Sequence, residues 1–211
     1  RRINTMKSKH VLIIVLLGAV CIFYFTLQGG QSQEYVKEII REREEKDHYM
    51  RTSRESPFAG EPESFSGLIY YPPDEKYRII ADLKAVENKN MVTLGTSDGK
   101  EQRFMEYAIA EFDLDNRKNR LLILEVMDMG PAKGTLFLAF GDKTSAGETY
   151  GGGRYLDVKK LPKGSKTITL DFNKAYNPYC AYTDKYSCPL PPPQNLLEIA
   201  INAGEKVYTA K

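Results

Sequence analysis

The chain has 211 residues, of which 42% are hydrophobic, and a formal net charge of +2. This length suits one domain of ordinary size with appendages, and this hydrophobic content excludes a chain that is disordered throughout. Four basic residues and no acid precede position 11, whereas the rest of the chain is almost balanced in charge. No basic face is evident, so we predict no nucleic-acid partner.

The first predicted element is an apolar segment over 11–27 without a charged residue. Its length of about 17 residues is at the lower limit for a helix that crosses a membrane. We predict a cytoplasmic tail over 1–10, a transmembrane anchor over 11–27 and a linker over 28–33. The basic flank stays inside, so the rest of this single-pass protein of the cell membrane is extracytoplasmic. A cleaved signal peptide is the alternative, although the cleavage site is weak.

A helix over 34–50 is predicted at the start of a domain that runs over 34–211. Apolar residues between Tyr35 and Ile40 form a narrow stripe in its first half, and opposite charges stand three or four positions apart along it. A charge run of this kind usually belongs to a solvated face. The alternative is a helix that docks on a partner or on the membrane surface.

From Gly67 onward the apolar period changes from helical to two. Alternation predicts strands with one buried face at 78–85, 167–172 and 197–202. Continuous apolar runs predict strands covered on both faces at 121–124 and 136–140. Asp98-Gly99 and Asp115-Asn116 are typical of turns between antiparallel strands. The predicted fold is mainly β, an antiparallel β-sandwich or partly open barrel with an N-terminal helix, preceded by one transmembrane helix.

Polar and turn-forming residues are concentrated between 140 and 193, where they indicate a shaped surface. Gly151-Gly152-Gly153-Arg154 is similar in composition to a phosphate-binding loop, but such loops lead into a helix, and 155–158 is predicted to be a strand. One interpretation is a tight turn that needs positive φ, with Arg154 paired to an acid such as Asp171. The other is an anion site made by glycine N–H groups and the Arg154 guanidinium.

The candidate ligand-binding residues are the polar, aromatic and glycine residues of this region. Tyrosines here could line a cleft for a sugar-like ligand or be half-buried rim residues. The candidates are Asp142, Thr144, Glu148, Thr149, Tyr150, Gly151, Gly152, Gly153, Arg154, Asp171, Asn173, Tyr176 and Asn177.

The sparse histidines restrict the chemistry. One precedes the apolar segment and the other, His48, lies on the charged helix, so neither is in the motif region. Cys180 and Cys188 are eight positions apart without a histidine nearby, which does not fit a zinc site. The acids of the region lack the spacing of a Ca²⁺ loop. We predict no metal and no cofactor.

The two cysteines have a more ordinary use. Outside the cytoplasm, cysteines joined across a turn commonly form a disulfide, and Pro178 and Pro189 restrict the backbone beside each one. We predict a disulfide between Cys180 and Cys188. The alternatives are a free or redox-active thiol pair, and two buried, reduced cysteines that act as small apolar side chains.

Several motifs resemble a bacterial and archaeal family, domain of unknown function 1684. They are F-x-D-x-T-x-x-x-E-T-Y-G-G-G-R-Y-L at 140–156, D-F-N-x-A-Y-N-P-Y-C-A-Y at 171–182, C-P-L-P-P-P-Q-N at 188–195 and A-G-E-K at 203–206. With further likeness at 56–58 and 65–68, the resemblance covers nearly everything from 34 on. It implies no established activity. The resemblance implies that many members of the family are cytoplasmic and hold the same cysteine pair. The disulfide is then not required for folding, and a site or core role for Cys180 and Cys188 is favoured.

Two function classes follow. The first is a non-catalytic, membrane-tethered binding module for a small anionic or sugar-like ligand. Its polar and aromatic cleft is made by the Gly-rich turn and the Cys–Pro loop. The alternative is an enzyme, either a hydrolase with paired carboxylates (Asp142, Glu148 and Asp171) or a thiol activity through Cys180. An open pocket in which Asp142, Arg154 and Asp171 converge would support binding or catalysis, whereas a closed, buried network would indicate a structural role.

Overall fold

A long helix, α1, spans residues 32–52 of the computed structural model, which describes residues 13, 16 and 32–209. The chain divides into two compact units, Arg1–Arg41 and Glu42–Lys211. The observed helix extends the predicted one by two residues at each end. Near its C-terminus the Ser56 hydroxyl donates to the carbonyl of Met50 at 2.5 Å, which satisfies one of the carbonyls that a helix end leaves without a partner.

The transmembrane helix of the predicted fold class is contradicted by the structure. Among the described residues, no helix is long and apolar enough to cross a membrane. The predicted span over 11–27 lies outside the described residues except for Ile13 and Leu16, and the predicted tail over 1–10 lies wholly outside them. The extracytoplasmic location stays a prediction.

The charged residues of α1 after position 41 contact the β-domain, where a solvated face was expected. Within the second unit, the Arg43 guanidinium donates to the carbonyl of Tyr71 at 2.8 Å. Farther along the helix, Lys46 pairs with the carboxylate of Glu205 at 3.0 Å. The charges of the helix after position 41 therefore hold that part of it against the domain, a possibility that helical spacing alone does not distinguish from solvation.

The main sheet is antiparallel and has six strands within the described residues: β1 (Arg78–Ala85), β2 (Met91–Gly95), β3 (Glu101–Leu114), β4 (Arg117–Val126), β5 (Leu136–Phe137) and β8 (Thr167–Asp171). Their order is β5-β4-β3-β1-β8, and β2 also pairs with β3. Two short strands, β6 (Ala139–Phe140) and β7 (Arg154–Tyr155), form a separate ribbon. The predicted mainly β, antiparallel class with a helix is confirmed.

The turns and the central strand follow the sequence pattern. Asp115 and Asn116, between β3 and β4, have φ of 53° and 59°, as a tight hairpin turn requires. Gly99, between β2 and β3, has φ of 77°. The apolar run at 121–124 is buried throughout because both faces of β4 are covered: Leu121 and Ile123 pack in one apolar cluster, and Leu122 and Leu124 pack in another.

The main core lies between one face of the main sheet and the chain from 138 to 203. Each fully buried Leu, Ile or Phe side chain in it contributes about 1.5–3 kcal/mol through removal of apolar area from water, and a buried Ala contributes less. The fully buried members are Ala81, Ala110, Leu121, Ile123, Phe140, Leu170, Phe172, Ile201 and Ala203.

Three predicted strands are wrong in their details. The segment predicted at 155–158 is a strand only at Tyr155, the last residue of β7. The run at 136–140 breaks into β5 and β6, which belong to different sheets. The segment at 197–202 alternates in burial as predicted but is not a strand, although the Leu197 amide donates to the carbonyl of Gly141 at 2.8 Å. At Ile201 the carbonyl accepts from the Arg154 guanidinium at 2.9 Å in place of a neighbouring strand.

Candidate functional site

A surface groove lies where the sequence predicts a cleft, between the Gly-rich turn and the Pro-rich segment. We call it the Gly–Pro groove. It has a volume of about 410 Å³ and is lined by 141–143, Ser145, 151–153, 190–191 and 196–198. Aromatic side chains do not line it, so the prediction of an aromatic cleft does not hold here.

Glycine is required where the turn meets the Pro-rich segment. Gly153 has φ of +84°, and a Cβ atom at this position would lie 2.4 Å from Cγ of Pro191 and 2.7 Å from the carbonyl oxygen of Phe140. At Gly152 a Cβ atom would lie 2.5 Å from the ring of Tyr150. The interpretation of this run as a tight turn with positive φ therefore matches Gly153.

Beneath the groove, Arg154 and Asp142 form a buried ion pair. The guanidinium Nη2 atom lies 2.8 Å from Oδ2 of Asp142, and the two side chains are 1% and 0% exposed. The same guanidinium donates to the carbonyls of Ile201, at 2.9 Å, and of Ala203 and Glu205. Arg154 is thus a cross-link between β7 and the C-terminal segment.

The second carboxylate oxygen of Asp142 organises the adjoining turn. Its Oδ1 atom accepts from the amide of Thr144 at 2.7 Å and from the hydroxyl of Thr144 at 2.6 Å. The Thr144 and Thr149 hydroxyls lie 2.9 Å apart. These bonds form a buried polar network beside the groove, in which the Nε atom of Arg154 has no hydrogen-bond partner among the described residues.

This network corrects two sequence-based interpretations. Arg154 pairs with Asp142, whereas Asp171 was the suggested partner, and its guanidinium is too buried to meet an external anion. Asp171 instead accepts from the amide of Asn173 at 3.2 Å, at the end of β8. Asp142, Arg154 and Asp171 therefore do not converge in an open pocket, and the Arg154 anion site is not supported.

The other predicted site residues have separate partners. Glu148 pairs with Lys206 at 3.1 Å, and the hydrogen bond from Lys206 lowers the pKa of its carboxyl group. The hydroxyl of Tyr176 donates to Asp157 at 2.7 Å. Because Glu148, Asp142 and Asp171 each bond to different groups, the structure gives no support to a hydrolase with paired carboxylates.

One buried carboxylate was missed by the search for site residues. Glu205 is 0% exposed and accepts from Lys46 at 3.0 Å, from the side-chain amide of Asn177 at 2.8 Å and from the hydroxyl of Tyr182. Burial and the neighbouring carboxylate raise the pKa of the Tyr182 hydroxyl, which therefore stays protonated and donates. The signal for Glu205 was its place in the A-G-E-K motif, which carries no recognisable chemistry.

The two cysteines lie together beside the Gly-rich turn. The amide of Cys180 donates to Sγ of Cys188 at 3.2 Å, and the hydroxyl of Tyr150 lies 3.7 Å from Sγ of Cys180. On the other side, the amide of Cys188 donates to the Ser97 hydroxyl at 3.2 Å. Tyr150, predicted to bind a ligand, thus contacts a thiol.

The hydrogen bonds around the thiols separate their acidities. The bond from Cys188 chiefly, then those from the hydroxyls of Ser97 and Tyr150, lower the pKa of Cys180, against the opposing effect of burial. The hydrogen bond between the two thiol groups and burial raise the pKa of Cys188, against the opposing effect of the bond from the Cys180 amide. Burial and the bond to Cys180 raise the pKa of Tyr150 to about 12, so this hydroxyl keeps its proton at neutral pH.

Both cysteines are free thiols in the structure, Cys180 half-buried and Cys188 buried. The predicted disulfide is therefore not formed in it, and the arrangement is that of the alternative, a thiol pair. Oxidation of this pair to a disulfide stays a prediction.

A second cavity, of about 320 Å³, contains the aromatic side chains that the Gly–Pro groove lacks. Phe137, Tyr155 and Tyr176 line it together with Pro189. The hydroxyl of Tyr155 donates to the carbonyl of Pro189 at 2.7 Å, so its polar end is already occupied. Of the predicted ligand-binding residues, Tyr176 lies here, whereas Asp142 and Gly151–Gly153 line the Gly–Pro groove.

Comparison with known proteins supports the resemblance seen in the motifs. An uncharacterised protein of Haloarcula marismortui, solved by solution NMR, is 39% identical, and the similarity covers 83% of this chain and 96% of that chain with a TM-score of 0.62. No curated protein matches the chain. The model of the family described as "Protein of unknown function (DUF1684)" matches residues 63–206. Because this match covers more than half of the sequence, the chain belongs to the DUF1684 family.

Proposed function

We propose that the domain is a binding module that takes a small, neutral and polar ligand, of sugar-like character, in the Gly–Pro groove. The observation that carries the proposal is the groove itself. It opens between the two segments that the sequence singles out, the Gly-rich turn and the Pro-rich segment, with a volume of about 410 Å³. Small-molecule sites have volumes of roughly 300–1,000 Å³.

The charges of the groove favour a neutral ligand over an anion. Arg154, the cation expected to bind an anion, is buried in its pair with Asp142. The exposed cation of the lining, Lys143, lies 2.7 Å from the carboxylate of Glu198. This pair offers N–H donors and carboxylate acceptors side by side without a net charge, which suits hydroxyl groups.

The apolar part of the lining fits the carbon face of such a ligand. Leu190 and Leu196 are 39% and 58% exposed, and Pro191 lies beside them. Burial of apolar surface supplies binding energy, while a few placed polar groups orient the ligand. The groove combines both features within one small volume.

The test is a titration followed by NMR. Glucose, galactose and N-acetylglucosamine form the neutral set of probes, and inorganic phosphate and sulfate form the anionic set. We expect a neutral probe to shift the amide signals of Gly151–Gly153, and Leu196→Ala to remove the shifts. The matched control is Ile80→Ala, since Ile80 is an apolar side chain on β1 that is 74% exposed and does not line the groove. Shifts with phosphate or sulfate only, or with none of the probes, would overturn the proposal.

A further inference from the structure

The cysteine loop is built more rigidly than a solvent-exposed loop needs to be. Cys188 is held on the turn after β2, where the amide of Ser97 donates to the carbonyl of Cys188 and the amide of Leu190 donates to the carbonyl of Gly95, each at 2.9 Å. The Ser97 hydroxyl accepts from the amide of Cys188 at 3.2 Å. The backbone on both sides of the Cys188 thiol is therefore fixed.

The second thiol is brought to the first by a short turn. Cys180 lies in the 3-10 turn Tyr179–Ala181, and its amide donates to Sγ of Cys188 at 3.2 Å. Cys180 is half-buried and Cys188 is buried. A reagent from solution therefore reaches the sulfur of Cys180 first, because the sulfur of Cys188 is less accessible.

We infer that Cys180 and Cys188 form an exchange-active dithiol, in which Cys180 attacks an external disulfide and Cys188 resolves the mixed disulfide. This activity is independent of the Gly–Pro groove. The assignment of roles rests on the exposure of Cys180, the fixed backbone of Cys188 and the contact between them.

The reaction balances with a small-molecule disulfide as the oxidant. The Cys180 thiolate attacks one sulfur of R–S–S–R, the S–S bond breaks, and the first thiolate RS⁻ leaves. The Cys188 thiol then loses its proton and attacks the Cys180 sulfur, which releases the second RS⁻. The two leaving thiolates take up the two protons of the cysteines, so that two protein thiols are oxidised to a disulfide and R–S–S–R is reduced to two RSH.

The hydrogen bonds suit this order of events. In the reduced pair, the side-chain hydrogen bond from the Cys188 thiol to the Cys180 sulfur is the largest cause of the raised pKa of Cys188. Once Cys180 carries the group R, its sulfur bears no negative charge, so that cause disappears and Cys188 can release its proton. The Tyr150 hydroxyl, 3.7 Å from Sγ of Cys180, stabilises the attacking thiolate.

The first experiment treats the reduced full-length protein with glutathione disulfide and follows each cysteine peptide by mass spectrometry. Cys21 is followed separately. We expect wild-type protein to form the Cys180–Cys188 disulfide, reversibly with dithiothreitol, without accumulating a glutathione adduct. Cys188→Ser should hold a glutathione adduct on Cys180, and Cys180→Ser should leave Cys188 almost unmodified. A stable adduct on wild-type Cys180, or preferential modification of Cys188, would overturn the assignment.

The second experiment separates an exchange-active pair from two thiols that merely pack together. The rate of Cys180 alkylation by iodoacetamide is measured against pH. The midpoint of this profile reports the pKa at which the thiolate forms, whereas the absolute rate also reflects the weaker nucleophilicity of a low-pKa thiolate. We expect a midpoint about two pH units or more below the ordinary value of about 8.5. Cys188→Ala should move it upward, and Cys188→Ser, which restores a donor, should move it less. A midpoint near 8.5 in wild-type protein would refute the inference.

Discussion

The Arg154 network beneath the Gly–Pro groove and the cysteine loop beside it are both polar, and side-chain hydrogen bonds hold both together. They differ in whether their polar groups are accessible and reactive. Arg154 and Asp142 are buried at 1% and 0% exposure and bond to each other and to neighbouring groups of the chain. Cys180 is half-buried and has a lowered pKa. A dense set of polar residues therefore indicates a site only where one of them remains reachable and reactive.

The largest effect is expected from removal of the buried cation. Arg154→Ala leaves the Asp142 carboxylate buried without its partner and removes donors from the carbonyls of Ile201 and Ala203. Breaking a buried pair from one side costs about 3–5 kcal/mol of the free energy of unfolding. Urea denaturation measures this loss, or soluble yield where the variant does not fold. A loss below about 1 kcal/mol would show that the buried pair does not stabilise the fold.

The next largest effect is expected at the contact between the Gly-rich turn and the Pro-rich segment. Gly153→Ala combines a φ of +84° with contacts of 2.4 Å to Pro191 and 2.7 Å to the carbonyl of Phe140. We expect a loss of about 2–3 kcal/mol in the free energy of unfolding. The matched control is Gly99→Ala, where φ is +77° but no atom lies within 4 Å of the new Cβ. The control should lose only about 1–2 kcal/mol, and equal losses would rule out the steric argument.

The cysteine loop is expected to make stability depend on pH. The pKa of Cys180 is lowered to about 6 in the folded protein, so between about 6 and about 8.5 the unfolded chain holds a proton that the folded chain has released. The free energy of unfolding should therefore rise with pH through this window. Above about 8.5 it should fall, because the raised pKa of Cys188 keeps one proton on the folded protein.

The measurement is a series of urea melts under reducing conditions, in which wild-type protein is compared with the double variant Cys180→Ser/Cys188→Ser. Subtracting the two profiles removes the contributions of other groups. A difference that does not vary with pH would mean that the thiols do not share a proton.

The smallest effect is expected at the rim of the groove. Lys143 and Glu198 lie 2.7 Å apart, but their side chains are 58% and 77% exposed. Exposed pairs contribute about 0–1 kcal/mol and are screened by salt. Lys143→Ala should therefore change the free energy of unfolding far less than Arg154→Ala, although Asp142 and Lys143 are neighbours in the chain. A loss comparable to that of Arg154→Ala would contradict the distinction between the buried pair and the rim.

Local patterns predicted the elements whose sequence signature is local. The period of two around Ile79 and Ile168 predicted β1 and β8, and the Asp115-Asn116 pair predicted the turn between β3 and β4. The Gly-rich turn was placed correctly, and Gly153 has the positive φ that one interpretation required. The alternation of side chains along a strand and the dihedral angles of a turn involve neighbours within a few positions, so the sequence carries these signals directly, although β1 and β8 pair across about 90 residues of chain.

Partners distant in the chain were not predictable in the same way. Nothing near Arg154 indicates that its guanidinium bonds to Asp142 and the carbonyl of Ile201, or that this replaces strand pairing in the last apolar segment. The same holds for Glu205, whose partner Lys46 comes from α1. The error at Asp171 has this origin, since any nearby acid was an equal candidate.

The sequence by itself determined the antiparallel β class, the long helix and the family. Only the tertiary structure decided which polar groups face solvent and which are consumed in buried bonds. The physical reason is that an ion pair or a shared thiol proton depends on distances of about 3–4 Å between atoms, and folding sets those distances among residues far apart in the chain.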